Sequence, residues 1–139
     1  MASPELIFQH AERLVALGVA ERSGRDFHGH RVYLIDTNYV LDNFTALYNN
    51  SYDGDARDAL TYVEDERQDE VTRTISFEGF RAPISSGPAM GIIDGHARLG
   101  AALALGISRV PVSFDIIYGV ESGDLSLTDE SIVRAEVSA

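Results

Sequence analysis

Met90-Gly91-Ile92-Ile93-Asp94-Gly95-His96-Ala97-Arg98-Leu99-Gly100-Ala101-Ala102-Leu103-Ala104-Leu105-Gly106-Ile107-Ser108-Arg109-Val110-Pro111-Val112 is the most informative stretch of this 139-residue chain. A short apolar strand, Gly91 to Asp94, runs straight into Gly95. Alanine and leucine at helical spacing then predict a helix from Gly95 to Leu105, closed by Gly106. Pro111 opens the following strand, Val110 to Tyr118. The first backbone N–H groups of a helix have no internal partner, and its dipole makes that end partly positive, so an anion fits there. Gly95 lacks a Cβ, which predicts close approach of a phosphate to the backbone. His96 and Arg98 add side-chain donors, and a guanidinium can hold two phosphate oxygens at once.

Outward from that turn, the N-terminal third predicts a helix from Pro4 to Leu17 with Gly18 as its C-cap. A turn-like segment follows from Ser23 to Gly29, then a strand from His30 to Ile35. Asp36 and Thr37 are expected to cap a helix reaching Tyr48. Asn49, Asn50, Ser51 and Gly54 mark a loop. An exposed helix is expected from Asp55 to Glu70 and a strand from Val71 to Phe77. Pro83 and Ile84 begin an extended piece before a turn at Ser85 to Pro88. Thr128 is the expected cap of a last short helix.

The charge balance excludes several functions. Twenty-two acidic residues face 11 basic ones, for a formal net charge of −11. Duplex DNA would be repelled by this field, since non-specific affinity comes mostly from Lys and Arg on phosphates, so no direct DNA binding is expected. All the basic residues are arginine, which removes the P-loop lysine and any Schiff-base lysine. With no cysteine there is no thiolate nucleophile and no cysteine metal site. His28 and His30 would share a strand face near Asp26 or Asp36, but two histidines are too few ligands, so no metal site is expected. An EF-hand count over Asp53, Asp55 and Glu64 is broken by Arg57 and Asp58. The absence of a long apolar run argues against a membrane span, and the lack of a basic flank with an apolar block argues against a secretory signal. The expected location is cytoplasmic. From Asp53 to Glu70 eight acids accompany two arginines, which suggests either a solvated face or a surface for a basic protein partner.

Ile92-Ile93-Asp94-Gly95-His96-x-Arg98-Leu99-x-Ala101-Ala102, followed by Leu105-Gly106 and Val110-Pro111-Val112, resembles the core turn of the ParB/sulfiredoxin-like superfamily. Phe80-Arg81-Ala82-Pro83-Ile84 is similar to the segment that precedes the turn in those proteins. The likeness covers about a quarter of the chain. It implies a single α+β domain over 1–139, a mixed sheet flanked by helices. Within it 77–118 would be the core phosphate-turn unit, 1–76 a divergent N-terminal part and 119–139 a C-terminal extension. It further implies nucleotide phosphates on Gly95, His96 and Arg98, and a role for Asp94 in positioning the turn or a metal. Asp94 is also the one carboxylate in the turn that could act as a catalytic base. Arg81 and Ser86 are additional candidate contacts. The expected ligand is ATP, ADP or CTP with magnesium, and the expected reaction NTP hydrolysis or phosphotransfer. The chain also departs from the family. The absent cysteine excludes sulfinic acid reduction. Ala97 stands where many members carry His or Arg, and Gly100 where ParB proteins usually carry Arg. These losses favour a second expectation, a non-catalytic acidic interaction protein, phage- or plasmid-encoded, that blocks a host nucleic-acid-binding protein.

Overall fold

The computed structural model describes residues 7–27, 29–48, 52–87 and 90–115. Seven strands form one mixed sheet: β1 (Ala20–Phe27), β2 (His30–Asp36), β3 (Thr45–Tyr48), β4 (Tyr52–Asp55), β5 (Ile84–Ser86), β6 (Gly91–Asp94) and β7 (Arg109–Ser113). Their order is β1-β2-β7-β5-β6-β3-β4. The β7–β5 and β6–β3 pairs are parallel, and the other neighbours are antiparallel. Helices α1 (Gln9–Ala16), α2 (Thr37–Asn43), α3 (Ala56–Ala59), α4 (Asp65–Glu78) and α5 (His96–Leu105) complete the described residues, with a 3-10 turn at Leu60–Tyr62. The protein is therefore an α+β domain around a mixed sheet, as expected. No helix among the described residues is long and apolar enough to cross a membrane.

The core follows from the apolar strands. Tyr33, Ile35, Ile84, Ile92 and Val112 bury fully on the sheet, where Phe44, Phe80, Phe114 and Leu99 join them. Burial of such side chains contributes roughly 1.5–3 kcal/mol each. One edge is clamped by polar contacts. The Tyr33 hydroxyl donates to Glu12 at 2.6 Å, Arg22 pairs with the same carboxylate, and Arg31 lies over the Phe8 ring at 4.0 Å.

Several local expectations give way to strand pairing and tertiary packing. The segment from Ser23 to Gly29 is not a plain turn, because β1 runs through it to Phe27. Its turn chemistry is absorbed by a break in register between Arg22 and Asp26, with Gly24 at φ +75 and the Ser23 hydroxyl donating to the Val32 carbonyl. The helix expected to reach Tyr48 stops at Asn43. Thr45 instead donates its N–H to the Met90 carbonyl, and β3 pairs parallel with β6. Asp36 does not cap that helix with its side chain. Its carboxylate accepts from Arg109 Nε at 2.8 Å. Gly54, read as loop, lies in β4.

The expected helix from Asp55 to Glu70 breaks near Val63, and α4 starts at Asp65. Val71 to Phe77 is helix within α4, not strand. Gln68, Val71, Thr72 and Ile75 recur at helical spacing toward α5, whereas Arg73, Ser76 and Phe77 are exposed. Tertiary packing thus overrides the β-propensity of Val, Thr, Ile and Phe. Ser85 and Ser86, read as a turn, belong to β5. The last strand is described to Ser113 in β7, and the expected helix at Thr128 lies outside the described residues.

Candidate anion site at the start of α5

The strand–glycine–helix unit forms as its sequence predicts. β6 delivers Asp94, Gly95 takes the N-cap position at φ +108, α5 begins at His96, and Gly106 ends it at φ +70. The helix packs through Leu99, Ala101 and Ala102, all fully buried, while Leu103 points outward at 44% exposure.

Gly95 is required for a reason other than ligand approach. A Cβ there would sit 3.1 Å from the Ile84 Cα and 3.2 Å from the Ile84 Cγ1 on β5. The positive φ adds strain for any residue with a side chain. Glycine thus lets the turn close against β5. The helix start remains the anion-attracting feature.

A cavity of about 390 Å³ opens beside this turn. It brings together Asp94, Gly95, His96, Arg98 and Arg81, five of the six residues singled out from the sequence. Ser86 is not among them. It is fully buried in β5, and its hydroxyl donates to the Gly87 carbonyl at 2.8 Å. Arg81 reaches the cavity while paired with Glu78 at 3.3 Å. Arg98 is half-buried. Its Nη1 donates to the Pro83 carbonyl at 3.3 Å, which holds the guanidinium beside the turn. Burial lowers its affinity for its proton, the Asp94 charge raises it, and the Arg67 charge lowers it again. His96 is 7% exposed. Burial pushes its imidazole below the usual histidine value against a smaller opposing pull from Asp94, so the ring is neutral at pH 7. Asp94 is exposed at the rim.

The opposite wall comes from α4, which supplies Arg67, Glu70, Val71, Thr74 and Ile75. Sequence reading missed these residues, since it placed Arg67 and Glu70 on an exposed helix from Asp55 to Glu70 and treated Val71 to Phe77 as a strand. The one available signal was Arg67, an isolated cation inside the acidic run. Gln68 joins the two helices, donating Nε2 to the Ala97 carbonyl at 2.9 Å and to the Thr72 hydroxyl at 3.0 Å. It lies directly over Gly100, where a Cβ would fall 2.3 Å from the Gln68 Oε1.

His28 lies outside the described residues, and His30 Nδ1 sits 3.3 Å from Asp115. Among the described residues no group of three or more His, Asp or Glu side chains is placed to hold a metal ion.

Fold and site together define a small α+β domain with a cavity at a helix N-terminus that is lined by three arginines and two carboxylates. Comparison with protein-family models, curated proteins and solved structures finds no match to this chain.

Proposed function

We propose that this protein is a nucleotide-binding domain of ParB/sulfiredoxin-like type that holds phosphate at the start of α5. One observation carries the reading. In a chain of net charge −11, Arg67, Arg81 and Arg98 converge with a helix N-terminus on one cavity. Three arginines against two carboxylates, Glu70 and Asp94, make this lining less acidic than the rest of the surface, and helix starts with nearby guanidiniums favour phosphate. The volume of about 390 Å³ lies in the range of small-molecule sites. Asp94 at the rim is the turn's own carboxylate and the candidate base for hydrolysis or phosphotransfer.

The test is calorimetric titration with ATP, ADP and CTP, with and without magnesium. Arg98→Ala should weaken binding about ten- to a hundredfold, the value of a charge-assisted hydrogen bond. No heat from the unaltered protein at millimolar nucleotide overturns the reading. The acidic interaction protein would then take its place, supported by the exposure of Asp58, Glu64, Asp65, Glu66, Asp69 and Glu70. In that case, reversing Glu64, Asp65 and Glu66 to arginine should abolish capture of a basic partner at low salt.

A further inference from the structure

Arg67 and Arg98 belong to different helices and line the same cavity. Their relative position is fixed by the neighbouring Gln68. Its amide bonds the Ala97 carbonyl of α5 and settles over Gly100. Arg67 therefore projects from a helix locked in register with the helix that carries Arg98. Two guanidiniums that line one cavity repel each other, a repulsion that Asp94 and Glu70 of the same lining reduce. Burial of Arg98 sharpens the cost, the Asp94 charge opposes it and the Arg67 charge adds to it, with the balance still against the charged guanidinium. An anion with charge at two points would satisfy the α5 start with Arg98 on one side and Arg67 on the other. The third cavity arginine, Arg81, already pairs with Glu78.

We propose that Arg67 is a ligand-binding residue that contacts a second phosphoryl group, so that the site selects di- and triphosphates over monophosphates. This inference rests on the phosphate reading of the same cavity and adds to it a second wall, a second cation and a charge requirement.

The experiment uses orthophosphate and pyrophosphate as probes, titrated into the full chain by calorimetry with ³¹P NMR as a second readout. Pyrophosphate should bind at least about tenfold more tightly than orthophosphate, the value of one further charge-assisted contact. Arg67→Gln should weaken pyrophosphate about ten- to a hundredfold and orthophosphate far less, while Arg67→Lys, which keeps the charge, recovers part of the loss. Arg98→Gln should weaken both anions. Arg67 is exposed, so Arg67→Gln should unfold at the same temperature as the unaltered protein. The inference is overturned if pyrophosphate binds no more tightly than orthophosphate, or if Arg67→Gln weakens both equally. Orthophosphate binding that depends on Arg98 would survive either of those results and keep the phosphate reading. Failure of both anions to bind the unaltered protein would remove that reading as well.

Discussion

Gly95 and Gly106 bracket the same helix, both at positive φ, but their surroundings differ. A Cβ at Gly95 would meet the Ile84 backbone at 3.1 Å, whereas nothing lies within 4 Å of one at Gly106. The Ile84 Cα belongs to a buried central strand and cannot yield without shifting β5. Gly95→Ala should therefore destabilise the ligand-free protein by about 1–3 kcal/mol, combining left-handed strain with a backbone clash. Gly106→Ala should cost less, roughly the left-handed strain alone, about 1–2 kcal/mol. Urea denaturation without any anion present separates the two. If Gly95→Ala lost no more stability than Gly106→Ala, the close packing of the turn on β5 would be wrong. The sequence made Gly95 conspicuous, but the local pattern pointed to a phosphate. That the space behind it is filled by Ile84 depends on how β5 pairs with β6, whose register breaks between Ser85 and Ser86.

At the scale of elements, legibility followed how local each signal was. The strand–glycine–helix turn and β2 carry their own apolar periodicity, and α5 and α1 carry their own glycine stops, so they could be read directly. β1 and β4 could not, because their Ser, Gly and Asp content resembles loop chemistry, and β3 could not, because one of its partners, β6, lies far along the chain. Helix α4 was the costliest misreading. Its β-branched second half is held helical by α5, and Arg67 entered the site only once that packing was known. The Gln68–Gly100 contact tests the packing. Helix propensity alone favours alanine over glycine by about 1 kcal/mol. At Gly100 that gain should be cancelled, because the new methyl displaces an amide whose hydrogen bonds contribute about 0.5–1.5 kcal/mol. Gly100→Ala should thus leave stability nearly unchanged in the parent, yet stabilise a Gln68→Ala background by about 1 kcal/mol. Equal effects of Gly100→Ala in both backgrounds would show that Gln68 does not join the helices as described.

Across the whole molecule, the three strands after residue 76 form the centre of the sheet, with β1–β2 on one side and β3–β4 on the other, so the turn is braced by elements from both parts of the chain. Most of the surface charge is acidic, and the exposed acids of α3 and α4 flank a cavity whose arginines come from α4, α5 and the segment between α4 and β5. Composition alone made the acidic surface legible. The convergence of three arginines was not, because they are separated by 14 residues between Arg67 and Arg81 and by 17 between Arg81 and Arg98. An anion drawn to this molecule should respond to the local field at the cavity more than to the net charge, and the contact should weaken with salt where it is exposed. The most direct test is to follow backbone amide shifts of the ¹⁵N-labelled protein while adding ADP at low salt. The account predicts that residues 95–99 and the Arg67 side chain shift first and saturate together, and that Arg98→Ala removes those shifts. Spectra in which those signals stay still at millimolar ADP, or in which changes spread evenly over the surface, would contradict it.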